Sequence, residues 1–213
     1  KPPFDDIRVR KAFNYAINRD KILENALNGQ GHVGNKGITP KLNRFRQYNF
    51  DSIKGYKFDP TLARALLADA GYPKGKGFPN VRLELNLGGN THKLVAEEIQ
   101  QQLYNTLNIN IEMEHVSFSD KIIHSRYGTS EIFRSAWVSD YPSPESFLSI
   151  FYGGFVPESL DEPSYPNTTR YKNDLETMFN KIQDFLILRN LKELKELSTR
   201  NFYTGGYRFD TQK

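Results

Sequence analysis

Asp140 is the carboxylate whose position in this sequence points to chemistry. It follows an apolar run, Ile132 to Val138, that reads as a strand, and it precedes a Tyr141-Pro142 turn. In an open α/β sheet, ligands sit outside the carboxyl ends of the strands. A carboxylate there can make a charge-assisted hydrogen bond of roughly 1.5–3 kcal/mol in a closed cleft. The competing reading is local: such an Asp caps a helix beginning near Pro144 or orders the turn. Arg134 lies three residues before Trp137 and carries a planar guanidinium of the kind that grips a carboxylate with two bonds. Its plainer reading is a surface arginine on a strand. Trp137 is the single tryptophan; packing at the domain surface and lining a cleft are both compatible with it.

Other reactive residue types exclude more than they offer. There is no cysteine, so disulfides, thiolate metal sites and cysteine nucleophiles are ruled out. His32, His92, His115 and His124 lack the paired spacing of a zinc site, and no metal or other cofactor is expected. Gly88-Gly89-Asn90 precedes a helix and could cradle an anion at its N-terminus. It lacks the Lys-Ser/Thr of a P-loop and the full dinucleotide fingerprint, and reads as a plain turn. No serine sits in a G-x-S-x-G context. No catalytic residue is assigned, and the chain is not expected to be an enzyme.

Several elements must position these residues. Across 213 residues, 38% are hydrophobic, 13% aromatic and 25% charged, which is enough to bury a core. The net charge of +4 is small, with Lys and Arg interleaved among Asp and Glu, so a solvated mixed surface is expected rather than a nucleic-acid partner. No apolar run approaches the length of a bilayer span. Val9, Ala12, Phe13, Ala16 and Ile17 share one helical face, predicting a helix from Arg8 to Ala26 that breaks near Asn18. Residues 29–56 read as a long loop. Asp59-Pro60 starts a helix that Gly71 ends. A strand is predicted over 81–87, a helix over 91–107, a strand over 109–116 and a helix through Arg126 capped by Ser117 or Ser119. The third strand, over 132–138, is followed by a short helix over 144–152 and two more helices over 172–189 and 191–202. The charges from Lys192 to Lys195 read as the solvated face of the last. Strands alternating with helices imply an α/β domain with parallel pairing.

Three stretches resemble the family 5 solute-binding proteins, the dipeptide, oligopeptide and nickel binders of bacterial ABC importers. Phe4-Asp5-Asp6-Ile7-Arg8-Val9-Arg10-Lys11-Ala12-Phe13 with Ala16-Ile17-Asn18-Arg19 is similar to an N-terminal segment of their second lobe. Asp59-Pro60 and Ala63 with Leu66-Leu67-Ala68-Asp69-Ala70-Gly71-Tyr72 match their D-x-x-x-A-x-x-L-L-x-x-A-G-Y helix. Trp137-Val138-Ser139-Asp140-Tyr141-Pro142-Ser143-Pro144-Glu145 with Phe147-Leu148 resembles their W-x-x-D-Y-x-x-P-x-x-F-L segment.

The resemblance implies an α/β fold, one lobe of a type II periplasmic-binding-protein-like two-lobe fold. Residues 1–213 are then a single lobe, with 155–213 as its C-terminal helical part and the N-terminal lobe absent from this stretch of sequence. No secretory leader precedes Phe4, as expected of residues that begin inside a longer protein. The implied function is capture of a peptide in the cleft between the lobes and delivery to ABC permease subunits in the membrane. The implied location is periplasmic or extracellular, with or without a lipid anchor. In peptide-binding members an Asp at the Asp140 position pairs with the ligand α-ammonium, and some have an Arg at the Arg134 position that reaches its carboxylate. Asp140, Arg134, Trp137 and Tyr141 are therefore the candidate ligand-binding residues. The alternatives are an oligosaccharide or nickel-complex binder on the same fold and, in a different class, a phosphate-handling enzyme built on the Gly88-Gly89 turn.

A two-lobe receptor gains its affinity from closure, which excludes water and applies both walls to the ligand. One lobe alone offers one wet wall. Calorimetry of these 213 residues with a pool of tri- to pentapeptides is therefore expected to show no saturable heat; a micromolar isotherm would mean that one wall suffices.

Overall fold

The computed structural model describes residues 2–42, 49–86 and 88–170. Helix α1 (Ile7–Ala16) begins at Asp6, whose carboxylate accepts from the Arg8 N–H at 2.7 Å, and α2 (Arg19–Asn25) begins at Asn18, whose side chain accepts from the Lys21 N–H. The expected break at Asn18 is therefore present. It is bridged from a distance by Gln102, which is 8% exposed: its Oε1 accepts from the Asn18 N–H and its Nε2 donates to the Asn18 carbonyl at 3.2 Å. One buried amide thus meets both main-chain groups at the break: the Asn18 N–H has Gln102 as its acceptor, while the Asn18 carbonyl also accepts from the Ile22 N–H of α2 at 3.3 Å.

Helix α3 (Pro60–Asp69) starts as expected, with Asp59 accepting from the Leu62 N–H at 2.9 Å and proline in the first turn. It lies against α1, with Val9, Ala12, Ala16, Ala63 and Leu67 fully buried between or beside them. The loop after it closes against α4 (Asn90–Leu107) through Gly75, which has φ +75°; a Cβ there would stand 2.6 Å from the Asn108 carbonyl oxygen.

Strands β1 (Val81–Asn86), β2 (Ile111–Val116) and β3 (Ile132–Phe133) form one parallel sheet in the order β2-β1-β3. Val81 pairs with Ile111 and Leu83 with Ile132. The central strand separates two environments by its period of two. Val81, Leu83 and Leu85 enter the apolar cluster built with α1, α3 and α4, where Leu103 and Leu107 are 1% exposed. On the opposite face Glu84 is 2% exposed, and His124 of α5 (Phe118–Tyr127) holds its two oxygens at 3.0 and 3.1 Å. Helices therefore cover both faces, as the alternation of strand and helix predicts. Ser117 is the N-cap of α5 and accepts from the Asp120 N–H.

The boundaries depart from the sequence reading in instructive ways. Strand β2 begins at Ile111, not Ile109, because its partner β1 begins opposite it at Val81. The third strand is two residues long, not seven. Its ladder continues by a single bond, Arg134 N–H to the Glu84 carbonyl at 3.0 Å, and there the Arg134 carbonyl meets Lys121 Nζ at 2.9 Å. Residues 135–138 are exposed and run off the end of the sheet. The short helix after them, α6 (Pro144–Leu148), gives way to 3-10 turns at Ser149–Phe151 and Gly153–Phe155. The two helices expected over 172–189 and 191–202, with the charges of Lys192 to Lys195, lie outside the described residues.

Gln102→Leu is expected to strand the Asn18 N–H and to cost about 2 kcal/mol in urea unfolding. The exposed neighbour Gln101→Leu is the control and should change stability by less than about 0.5 kcal/mol. Equal effects would show that the glutamine does not bridge the break.

Candidate functional site

Parallel pairing places the carboxyl ends of β1, β2 and β3 along one edge, and the expected site residues follow the third of them. Arg134 is half-buried. Its main chain is fixed by the bonds to Glu84 and Lys121, and its guanidinium makes no hydrogen bond or ion pair among the described residues. Trp137 is 37% exposed, and its Nε1 donates to the Ser146 carbonyl at 2.7 Å, tying the segment to α6.

Asp140 is exposed, and its carboxylate has no hydrogen-bond or ion-pair partner among the described residues. The local reading of this residue would require a bond to the turn or to the start of α6. Other groups make those bonds. Ser139 Oγ donates to the Tyr141 carbonyl, the Ser143 N–H donates to the same carbonyl at 2.9 Å, and the Ser146 N–H donates to the Ser143 carbonyl at 3.2 Å. Tyr141 is half-buried beside them. The loop is thus folded by serine and main-chain groups, and the carboxylate is left to solvent.

The same edge brings together residues that the sequence reading treated separately, the Gly88-Gly89-Asn90 turn and two of the histidines. A shallow depression of about 280 Å³ is lined by Asn86, Gly88, Asn90, His92, Lys93 and His115, at the ends of β1 and β2 and the start of α4. Gly88 and Gly89 have φ of +100° and +85°, which only glycine adopts freely. Gly89 is the N-cap of α4 and supplies no side-chain cap, and His92 Nδ1 is buried without a partner. The signal in the sequence was the position of the glycine turn immediately after β1. That His92 and His115, on different elements, line one depression has no local signature. Among the described residues no cluster of His, Asp or Glu could hold a metal.

Beneath the edge lies Lys121, 4% exposed. Its Nζ donates to the Arg134 carbonyl at 2.9 Å and to Asn86 Oδ1 at 3.4 Å, and stands 5.2 Å from the centre of the Phe118 ring. Burial, and secondarily the charge of Arg134, hold its ammonium below the usual lysine range. Lys121 thus meets the main chain of a second cationic residue, and neither side chain has a carboxylate paired to it among the described residues.

The sequence profile of the bacterial extracellular solute-binding proteins, family 5, middle segment, matches residues 1–157. The chain belongs to this family. It is 29% identical over 182 residues to the periplasmic oligopeptide-binding protein of Escherichia coli, across 81% of this chain and 30% of that protein. The periplasmic oligopeptide-binding protein OppAIV of Borrelia burgdorferi superposes with a TM-score of 0.64 at 29% identity, over 94% of this chain and 38% of that one. The fold also matches a periplasmic oligopeptide-binding protein of Thermotoga maritima, solved with mannohexaose bound, with a TM-score of 0.71 at 24% identity over 86% of this chain and 36% of that one. The chain spans about a third of the length of these relatives. Its α/β sheet with parallel strands is thus part of a periplasmic-binding-protein fold, and the family is one of transport binding proteins. Among the described residues no helix is long and apolar enough to cross a membrane.

In this family 5 protein, Trp137→Phe keeps an aromatic ring but deletes the donor to Ser146. The expected cost is about 1 kcal/mol, read from the midpoint of thermal unfolding; no change would mean that α6 is held to the segment by other contacts.

Proposed function

We propose that this chain contributes one wall of the ligand cleft of a solute-binding receptor that captures peptides and hands them to an ABC permease in the membrane. The receptor works outside the cytoplasmic membrane, free or lipid-anchored, and catalyses no reaction. The observation that carries this reading is the unpartnered, exposed carboxylate of Asp140 at the carboxyl edge of the sheet. A carboxylate that neither caps a helix nor orders its own turn is available to a ligand ammonium, the group present on every free peptide N-terminus. Arg134 offers the complementary guanidinium; Trp137, between the two in sequence, and Tyr141, directly after Asp140, offer ring surface. A second lobe closes the cleft.

Oligosaccharide capture is the second reading, because a related protein of the same fold holds mannohexaose and the Trp137 ring is partly open. The two differ in their need for charge: a neutral sugar makes no use of a free carboxylate or guanidinium at the mouth.

The experiment uses the full-length receptor with both lobes. Calorimetry against a tri- to pentapeptide pool should give a saturable isotherm, and a tripeptide selected from it supplies the comparison. Asp140→Asn is expected to weaken that tripeptide about tenfold or more while changing its N-acetylated form by less than about twofold. Equal losses for the two would assign Asp140 a structural role only. Saturable heat with mannohexaose and none with the pool would replace peptides with oligosaccharides.

A further inference from the structure

A lysine this deeply buried is costly unless its charge is used, because an ammonium loses its hydration without gaining equivalent bonds. Lys121 gains only neutral acceptors: the Arg134 carbonyl at 2.9 Å, Asn86 Oδ1 at 3.4 Å and the face of Phe118. The buried carboxylate on the same face of the sheet, Glu84, is engaged by His124. No ion pair forms between Lys121 and any described residue. The position of its two acceptors is telling. Asn86 is the last residue of β1, and Arg134 is the first residue after β3. One ammonium therefore joins the carboxyl ends of two neighbouring strands from below, at the point where the main chain leaves the sheet toward Trp137 and Asp140.

We propose that Lys121 is a positioning and specificity residue of the cleft: it clamps the main chain at Arg134, and its charge, added to that of Arg134, makes this part of the mouth select a ligand carboxylate. This rests on the peptide-capture reading above. The argument is electrostatic as well as geometric. The Arg134 charge opposes the Lys121 ammonium, neither has a carboxylate paired to it among the described residues, and an incoming anion relieves both at once. The anion contacts Arg134, which is half-buried and unpartnered, and does not need to reach Lys121. The lowered affinity of the Lys121 amine for its proton, caused chiefly by burial, is the expected signature of a cation without a counter-ion.

Lys121→Met separates these effects from ordinary loss of structure. It keeps the apolar stem, deletes the donor and the charge, and removes a buried ion, so the melting temperature should be unchanged or higher. In the full-length receptor, the variant is expected to bind the selected tripeptide about tenfold more weakly, but its C-terminal amide within about twofold of wild type. Hydrogen exchange of residues 135–139 should accelerate in the absence of ligand, with β1 unchanged. Lys121→Arg, which retains charge and donors, should preserve the discrimination between acid and amide. Equal losses for tripeptide and amide, or unchanged exchange over 135–139, would overturn the proposal. A wild-type receptor that binds no member of the pool would instead sink the peptide reading; the exchange measurement would then still decide whether the clamp exists.

Discussion

Parallel pairing of β1 with both of its neighbours brings three strand ends to one edge, and every residue considered for binding takes its place from that arrangement. In a parallel sheet each strand delivers its chain to the same side, so loops from distant parts of the sequence converge. The Gly88-Gly89 turn, His115 and the segment from Arg134 to Asp140 are adjacent to the same edge for this reason alone. The register that pairs Val81 with Ile111 and Leu83 with Ile132 also fixes which side chains face which layer. A slip of one residue would turn Glu84 into the apolar cluster and Leu83 toward α5.

The central strand can hold that register because its two faces are satisfied by different chemistry. Val81, Leu83 and Leu85 contribute apolar burial, on the order of 1.5–3 kcal/mol for each large side chain. Glu84 contributes none, and its burial is tolerated because His124 meets both oxygens. Gln102 plays the equivalent part at the α1–α2 break. Three buried polar side chains, Gln102, Glu84 and Lys121, each stand where main chain or charge would otherwise lack a partner. They make the packing specific, since a purely apolar layer would not distinguish the native register from a shifted one.

Much of this was legible in the sequence, and the limits are physical. Caps are local chemistry, so Asp59-Pro60, Asn18 and Ser117 announced three helix starts within a few residues. The alternation of Val81, Leu83 and Leu85 announced a strand because burial on one face leaves a period of two. The length of the third strand was not legible: Ile132 to Val138 is as apolar as a strand requires, but a strand lasts only as long as its partner, and the ladder with β1 ends after Arg134. Lys121 was invisible for a related reason. Lysine is mostly exposed, and its two acceptors, Asn86 and Arg134, come from other elements. Asp140 was found by motif and left open between a turn-forming and a binding role; the hydrogen bonds of Ser139, Ser143 and Ser146, which fold the turn without its carboxylate, come from neighbours whose roles no motif announces.

In the proposed receptor, the exposure of Asp140 makes its attraction for a ligand ammonium weak in the open state and strong when covered. Two unit charges 4 Å apart attract by about 1 kcal/mol in bulk water and by about 4 kcal/mol at the effective dielectric of a protein surface. An exposed carboxylate is near the first limit. In the proposed two-walled cleft, covering it moves it toward the second limit without altering any bond described above. The same step strengthens the pull of Arg134 and of the charge beneath it on a carboxylate. On the proposed function, a surface whose acid is unpaired and whose cations lack counter-ions among the described residues holds binding energy in reserve until water is excluded, and a ligand bearing both an ammonium and a carboxylate would release the most of it on closure.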